Sequence, residues 1–166
     1  MLNALINTSF LMTSKSKIIL TSSASNLISL FNLMNLHRPE EIYAVPTTWK
    51  KIIKYSSKFD RSSFRNVKLI TSGGEALTKN VFKNLFKLFP NAKILNVYGP
   101  TEFTINATCC EITQKKINNK SIIRKDNNFS IGKMLPGIAY KILKSEKKKI
   151  GELLLEGNQL MGGYLD

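Results

Sequence analysis

The chain has 166 residues, of which 43% are hydrophobic, and its 25 basic and 11 acidic residues give a formal net charge of +14. This length and apolar content suit one domain with a buried core and exclude a disordered chain. No apolar run reaches the roughly 18 residues of a membrane span. The start, Met1–Ile19, has no basic region and no small-residue cleavage site, so no signal peptide is predicted.

The charge distribution and the two cysteines indicate which partners and which cellular compartment to expect. A strongly basic chain is typical of proteins that bind nucleic acid or an anionic membrane surface. Here the basic residues are scattered, and the two short clusters, Lys115–Lys125 and Lys144–Lys149, contain no aromatic residues that could stack on single strands. We therefore expect neither a nucleic-acid nor a membrane partner. Cys109 and Cys110 are adjacent and are not predicted to pair, which favours a reduced, cytoplasmic setting.

The N-terminal part of the chain predicts a helix, a strand and a second helix. Leu2–Leu11 is apolar and is predicted to be helical, and Lys17–Leu20 is predicted to be a short strand. Ser22 and Ser23 can cap a helix that ends before Pro39. Its apolar residues recur at helical spacing: Leu27, Leu30, Phe31 and Met34.

The next elements continue the alternation. Glu41–Val45 is predicted to be a strand, and Pro46 opens a helix that contains Trp49 and Ile52. Val67–Thr71 is predicted to be the following strand, and it ends at a serine-glycine-glycine turn.

The clearest helix in the sequence begins after Thr78 and ends before Pro90. Lys93–Val97 is predicted to be the next strand. The apolar residues of the helix line one face: Val81, Phe82, Leu85, Phe86 and Phe89.

The pattern changes after Gly99. Ala107–Thr113, Ala139–Leu143 and Ile150–Glu156 are predicted to be strands without intervening helices, and the basic residues 114–129 are predicted to form an exposed loop. The sequence therefore predicts an α/β fold, with a parallel sheet and crossover helices over residues 1–113 and an antiparallel, β-rich portion over residues 130–166. In such sheets, ligands bind beyond the carboxyl ends of the strands.

The sequence NVYGPTE, which begins at Asn96, combines a turn with groups that suit a nucleotide. Gly99 lets the backbone turn sharply and lets a ligand approach the main chain. Thr101 offers a hydroxyl to a phosphate oxygen, and Glu102 is a carboxylate of the kind that holds Mg²⁺. Tyr98 offers a flat face to a base, and the Asn96 amide can pair with the polar edge of a base. The same spacing also fits an ordinary turn, so both interpretations stay open.

Two further glycine-containing segments lie at strand ends or follow a strand. Thr71–Leu77 (TSGGEAL) has two glycines after a strand, where a flat group could pack against bare backbone. Gly151–Leu165 contains a predicted strand and a glycine-rich turn. Taken one at a time, both segments are also compatible with a purely structural role.

Taken together and in this order, the segments resemble motifs of the amino-acid adenylation domains, of the nonribosomal peptide synthetase type, in the adenylate-forming (AMP-binding) enzyme superfamily. Asn96–Glu102 resembles the nucleotide- and Mg²⁺-binding motif of that family, and Gly151–Leu165 resembles its later motif GELxxxGxxxxxGYL. Phe64–Leu77 resembles the strand and turn that floor the adenine pocket. Ser130–Gly137 resembles the link between the two main motifs, so residues 1–166 are identified as a partial AMP-binding domain.

The resemblance implies a fold and an activity. The fold would be the central part of the large N-terminal domain of adenylate-forming enzymes. Such domains join an amino or carboxylic acid to ATP, release pyrophosphate and hold an acyl-adenylate. They then pass the acyl group to a thiol, usually the phosphopantetheine of a partner carrier protein. The resemblance thus implies ATP or AMP and Mg²⁺ as cofactors, and an amino acid and a carrier protein as partners.

The resemblance also implies roles for individual residues. Glu102 would hold Mg²⁺ and Thr101 would contact the α-phosphate, which makes them the two catalytic residues. Tyr98 would stack on adenine and Asn96 would bind its amino group. The nucleotide-binding set would be Gly73, Gly74, Glu75, Asn96, Val97, Tyr98, Gly99 and Thr101. The pocket for the substrate side chain would be lined by Tyr43, Thr71, Gly73, Val97, Ile105 and Asn106.

The sequence also departs from the family pattern. It contains no Ser/Thr/Gly-rich phosphate loop ending in Lys-Gly, and the nearest run, Thr21–Ser25, has no glycine. We expect the substrate-gripping aspartate of the family before Met1, and the ribose-binding aspartate and a catalytic lysine after Asp166. The chain therefore resembles the middle of a larger domain, and we expect it to lack turnover unless the missing parts or a partner are supplied.

Other functions stay open at this point. A D-alanine–carrier protein ligase has motifs close to these, and an inactive gene remnant would keep them without activity. A basic nucleic-acid-binding or scaffold protein could reuse the same fold. Pro100 and the Gly-Gly-Glu-Ala-Leu turn favour an amino-acid substrate over the substrates of acyl-CoA synthetases.

Overall fold

A computed structural model describes residues 17, 19, 26–117, 122–124, 126–144 and 150–164. The predicted helix over Leu2–Leu11 lies outside these residues, and so do Ser22 and Ser23 as helix caps. Two of the four residues of the predicted strand Lys17–Leu20 also lie outside them. Among the described residues, no helix is long and apolar enough to cross a membrane.

One mixed sheet organises most of the described chain. Its strands, in spatial as well as chain order, are β1 (Glu41–Ala44), β2 (Leu69–Ser72), β3 (Lys93–Tyr98), β4 (Thr108–Ile112) and β5 (Lys133–Met134). β1, β2 and β3 are parallel, whereas β4 is antiparallel to both β3 and β5. The predicted change from a parallel to an antiparallel arrangement is therefore confirmed. The two-residue strand β5 was not predicted, because it is too short to show periodicity.

Three α-helices in the described part of the chain pack with the sheet: α1 (Leu27–His37), α2 (Pro46–Tyr55) and α3 (Lys79–Leu88). α2 and α3 are the crossovers from β1 to β2 and from β2 to β3, and α1 precedes β1. The cap predicted for α1 is corrected: the helix begins at Leu27 and is capped by Asn26, whose side chain accepts a hydrogen bond from the Ser29 N–H. α2 begins at Pro46, where the missing N–H costs no helical hydrogen bond. As predicted, the Thr78 hydroxyl caps α3 by accepting from the Val81 N–H.

Short 3₁₀ helices occupy several connections: Ser56–Lys58, Ser62–Asn66, Thr101–Phe103 and Gln114–Lys116. The core lies between the helices and one face of the sheet. It is built from the fully buried side chains of Phe31, Trp49, Ile52, Phe64, Ile70, Phe82, Leu85, Phe89, Ile94 and Ile112. Burial of these apolar groups is the main source of stability.

The exposed-loop prediction for residues 114–129 is wrong for the apolar residues Ile122, Ile123 and Phe129, although Arg124, Asp126 and Asn127 are exposed. Phe129 is only 4% exposed, and its ring centroid lies 4.9 Å from that of Phe82 on α3. Its N–H donates to the Leu77 carbonyl, which fixes the segment against the start of α3. Ile122 and Ile123 also pack against the core. Phe129 therefore helps to bury the apolar face of α3, and the two isoleucines extend the same core.

A separate two-stranded antiparallel sheet follows. β6 (Ala139–Lys144) pairs with β7 (Gly151–Glu156) in a register that opposes Ala139 to Glu156 and Lys144 to Gly151. Both strands were predicted to within one residue at each end. The boundaries proposed for the two portions of the chain, 1–113 and 130–166, stay a prediction.

Candidate functional site

The carboxyl ends of β2 and β3 lie side by side. Because the strands are parallel with Ser72 opposite Asn96, the segments that follow them leave the sheet at the same edge. These segments contain Gly73–Glu75 and Gly99–Glu102. The fold thus brings together two stretches that are more than twenty residues apart in the sequence.

Gly73 lies in close contact with two other predicted pocket residues. A β-carbon on Gly73 would stand 2.7 Å from Val97 Cγ2, 2.9 Å from the Val97 carbonyl oxygen and 3.1 Å from the Tyr43 hydroxyl. Burial raises the pKa of Tyr43 above the usual tyrosine range. Thr71 lies on β2 opposite Tyr43 on β1, so the structure brings four of the six predicted pocket residues together.

Gly74 and Glu75 follow Gly73 at the same edge of the sheet and are exposed. Gly74 has a φ of +82°, in the region that glycine enters without strain. Glu75 is exposed, and its Oε1 accepts a hydrogen bond of 2.6 Å from the Thr47 hydroxyl in the first turn of α2. Thr47 therefore orients a carboxylate that sequence reasoning placed in the nucleotide site.

Asn96 is held by the chain itself. It shares the sheet face of Ile94, is only 4% exposed, and its Nδ2 donates a hydrogen bond of 2.9 Å to the Ser130 carbonyl. This contact fixes which end of the amide donates, and it leaves Oδ1 as the end that would have to accept from an amino group. Tyr98, two residues later on the same face, is 38% exposed. Base contacts by these two residues stay predictions.

The side of Gly99 on which a side chain would stand is filled by the chain itself. A β-carbon on Gly99 would stand 2.2 Å from the Ile105 carbonyl oxygen and 2.7 Å from the Ala107 nitrogen. The Ala107 N–H also donates to the Tyr98 carbonyl across 2.8 Å. Residues 105–107 fold back against the glycine on this side, so no ligand can pack there, and contact of a ligand with the other side of Gly99 stays a prediction.

The turn Thr101–Asn106 has an unusual backbone. Thr104 and Ile105 have φ angles of +48° and +78°. The left-handed region is costly for a β-branched residue such as Ile105, and residues held there cluster at functional sites. Asn106 Oδ1 is buried and has no hydrogen-bond partner within the described part of the chain. Ile105 and Asn106 were both predicted to line the substrate pocket.

Glu102 lies in this turn beside Thr101, which is exposed. The Tyr164 hydroxyl donates to Glu102 Oε1, and this bond is the main cause that lowers the pKa of the carboxyl below its usual range. The Glu102 carbonyl accepts from the Met161 N–H across 2.9 Å. At neutral pH the Glu102 carboxylate is therefore ionised, and the hydrogen bond from Tyr164 orients it.

Sequence reasoning missed the side chains that hold these groups. Gln159 Nε2 donates to the carbonyls of Phe103 and Asn106, each across 2.9 Å, and the Thr104 hydroxyl donates to the Gln159 carbonyl across 2.6 Å. The motif around Gly151–Leu165 marked the segment, but nothing local in it indicates contacts more than fifty residues away.

Two cavities in the described structure lie elsewhere, on the surface around α3. Their volumes are about 270 Å³ and 440 Å³. They are lined by Thr78, Lys79, Asn80, Lys83 and Asn127, and by Lys83, Phe86, Lys87, Gln114 and Ile117. No predicted site residue lines either one. The predicted site is instead the edge formed by the ends of β2 and β3.

The chain matches the sequence profile of the AMP-binding enzyme family over residues 3–165. It belongs to that family. Among curated members, a D-alanine–D-alanyl carrier protein ligase of Staphylococcus epidermidis is 28% identical over 136 residues, which cover 82% of this chain and 26% of the relative. The ligase of the same name from Streptococcus pyogenes is 34% identical over 98 residues, which cover 56% of this chain and 18% of the relative.

Solved structures confirm the fold of the AMP-binding family. IdnL7 superposes with a TM-score of 0.67 at 20% identity, over 82% of this chain and 28% of that one. PA1221, a nonribosomal peptide synthetase protein with adenylation and carrier domains, gives a TM-score of 0.65 at 20% identity, over 81% and 26%. The predicted resemblance to the N-terminal domain of adenylate-forming enzymes is confirmed. The chain spans about a quarter of the length of the first curated relative it matches.

Proposed function

We propose that this chain forms the nucleotide-binding centre of an adenylate-forming ligase that activates an amino acid with ATP. The product would be an aminoacyl-adenylate, from which the acyl group passes to the phosphopantetheine thiol of a carrier protein. The observation that carries the proposal is the placement of Gly73–Glu75 and Gly99–Glu102 at one edge of a parallel sheet, where such folds bind nucleotides.

The donor set at this edge suits Mg²⁺. No group of three or more His, Cys, Asp or Glu side chains that could hold a metal occurs in the described part of the chain. Mg²⁺ is commonly bound by only one or two carboxylates together with substrate phosphates and water. Glu102 provides one carboxylate and Thr101 a neighbouring hydroxyl. When bound, the metal would stabilise the charge that develops at the α-phosphate as pyrophosphate leaves.

The remaining residues would bind and orient the two substrates. Tyr98 would stack on adenine, Asn96 would accept from its amino group, and Gly73–Glu75 would lie along the ring. The orphaned acceptor of Asn106 supports a pocket that receives a hydrogen-bond donor from the substrate, because a buried oxygen without a partner is costly.

The alternative of a D-alanine–carrier protein ligase is compatible with the curated relatives. Both are named as D-alanine–D-alanyl carrier protein ligases, which makes D-alanine the first amino acid to test. The pocket lining mixes apolar and small polar groups and is compatible with this and with other amino acids. We place the reaction in the cytoplasm, which the free thiols of Cys109 and Cys110 support.

Calorimetric titration with AMP and with Mg·ATP tests the proposal on the chain itself. Glu102→Gln should weaken Mg·ATP binding about tenfold or more, because a charge-assisted contact is lost, while AMP binding without metal stays unchanged. Glu111→Gln, on exposed β4 surface, is the matched control and should change neither. Absence of nucleotide binding by the wild type, or equal Mg·ATP affinities in both variants, would contradict the proposal.

Amino-acid-dependent ATP–pyrophosphate exchange tests the substrate class. We expect exchange only when the phosphate loop, the ribose-binding aspartate and the catalytic lysine are supplied, and we expect one amino acid in a panel that includes D-alanine to stimulate it. Exchange that no amino acid stimulates in such a reconstituted protein would argue for an inactive remnant.

A further inference from the structure

The turn Thr101–Asn106 joins the two halves of the proposed site. In the proposed function, Thr101 and Glu102 would bind the phosphate and the metal at one end of the turn, and Ile105 and Asn106 would line the substrate pocket at the other end. Between them, Thr104 and Ile105 both have left-handed backbones. Such conformations persist only when the surrounding structure holds them, so the source of that restraint matters for both ends.

The hydrogen bonds within the turn do not involve the carbonyls of Phe103 and Asn106. The Thr104 N–H donates to the Thr101 carbonyl across 3.3 Å, and the Asn106 N–H donates to the Thr104 carbonyl across 3.0 Å. Neither bond uses the carbonyls of Phe103 and Asn106, which flank the two left-handed residues. Both of these carbonyls accept from Gln159 Nε2.

Gln159 therefore spans the strained pair from one side to the other. The side-chain amide of Gln159 donates one hydrogen to the Phe103 carbonyl and the other to the Asn106 carbonyl, each across 2.9 Å. The main-chain carbonyl of Gln159 accepts a hydrogen bond of 2.6 Å from the Thr104 hydroxyl. The same short segment after β7 also reaches Glu102 through the Met161 N–H and the Tyr164 hydroxyl. Four of the six residues of the turn thus bond to this segment.

We propose that Gln159 is a positioning residue that holds the phosphate end and the pocket end of the turn at a fixed separation. The expected effect of Gln159 on Mg·ATP binding rests on the proposed function. Its restraint of the turn rests on the hydrogen bonds alone. Gln159 is half-buried, and it contacts the turn through the main-chain carbonyls of Phe103 and Asn106 and through the hydroxyl of Thr104.

Three variants of Gln159 distinguish the contribution of its two N–H donors from that of its side-chain shape. Gln159→Glu keeps the shape and loses both N–H donors, and Gln159→Met keeps the length without polar atoms. Gln159→Lys restores donors that can reach two carbonyls. Asn158→Ala, at the exposed neighbouring position, is the matched control. Thr104→Val serves if the Gln159 variants fail to fold, because it removes only the hydroxyl bond to the same residue.

Hydrogen–deuterium exchange, measured by mass spectrometry on the whole chain, reads the restraint directly. We expect the amides of Thr104 and Asn106 to exchange about tenfold faster in Gln159→Glu and Gln159→Met, while the amides of α3 stay unchanged. Gln159→Lys should recover most of the protection, and Asn158→Ala should match the wild type. Unchanged exchange in the turn in both donor-deficient variants would overturn the inference.

Mg·ATP binding separates positioning from a merely structural role. We expect the dissociation constant to rise about tenfold in Gln159→Glu and to recover in Gln159→Lys, since two hydrogen bonds that orient the turn are lost and regained. A faster-exchanging turn with an unaltered dissociation constant would overturn the positioning role. If the wild type binds no Mg·ATP, the proposed function fails and the positioning role falls with it, although the exchange data would still locate the restraint.

Discussion

Gly99 and Ile105 are in such close contact that a β-carbon on Gly99 would stand 2.2 Å from the Ile105 carbonyl oxygen. The atoms that such a carbon would meet are all backbone, so no side chain can rotate away to make room. The glycine in the NVYGPTE segment is thus required by the chain's own turn, independently of any ligand.

Gly99→Ala should therefore destabilise the fold strongly. We expect a loss of about 3 kcal/mol or more in the free energy of unfolding, because the backbone of residues 105–107 must move to relieve the overlap. Urea denaturation followed by circular dichroism measures this loss. The matched control is Gly162→Ala, where an added β-carbon meets nothing within 4 Å, and its effect should stay within about 0.5 kcal/mol. Equal stability of the two variants would contradict the close packing at Gly99.

Phe129 should contribute as a core residue although it lies in a polar and basic segment. Phe129→Ala removes a nearly buried ring that packs against Phe82, and we expect a cost of about 3–5 kcal/mol. Lys115→Ala, at an exposed position earlier in the same basic stretch, should be close to neutral. Thermal melting of both variants checks this, and a neutral Phe129→Ala would restore the exposed-loop interpretation.

Trp49 offers a test of an orphaned polar atom in the core. The side chain is fully buried, and its Nε1 has no hydrogen-bond partner in the described part of the chain. Trp49→Phe loses apolar area but also removes an unpaired N–H, so we expect a net cost below about 1.5 kcal/mol. Trp49→Ala should cost about 3–5 kcal/mol. Chemical denaturation compares the two variants, and similar costs would show that the N–H has a partner in solution.

The hydrogen bonds of the Asp60 carboxylate should make the stability of the fold depend on pH. Its carboxylate accepts from the N–H and the hydroxyl of Ser62 at the start of the 3₁₀ helix Ser62–Asn66, and the N–H bond is the main cause that lowers its pKa. Because the folded pKa is lowered, this contribution is present above the ordinary aspartate pKa of about 3.9 and is lost as the pH falls through the folded value.

Asp60→Asn should thus lower the free energy of unfolding near neutral pH, and the difference from the wild type should shrink in acid. Urea denaturation at a series of pH values measures both quantities. Ser62→Ala keeps the N–H donor and should show a smaller change of the same sign. A difference between Asp60→Asn and wild type that is independent of pH would mean that the carboxylate is not held in this way.

Several elements could be predicted because their signals are local. The helix after Thr78 carries its own cap and an apolar face, and β1, β2 and β3 are short apolar runs that end at turn residues. The resemblance of Asn96–Glu102 to a nucleotide motif was equally local, and the match over residues 3–165 confirms the family to which it pointed.

Long-range contacts could not be predicted in this way. The Asn96 amide bonds to Ser130, thirty-four positions away, and Glu75 bonds to Thr47, twenty-eight positions away. Residues 122–129 look like a loop because Asn, Lys and Ser surround the isoleucines and Phe129. The core that distant residues form, including Phe82 on α3, explains why these apolar residues turn inward.

The sequence by itself determined the alternation of strands and helices and the cap of α3, because each depends on residues that are close together in the chain. It also determined the family, because the motifs that carry it are short and follow one another in a recognisable order. The tertiary structure alone decided which groups restrain the turn Thr101–Asn106 and why Gly99 must be a glycine. Gln159 reaches that turn only because the chain returns to it after β7, and such contacts depend on how distant segments pack rather than on any local pattern.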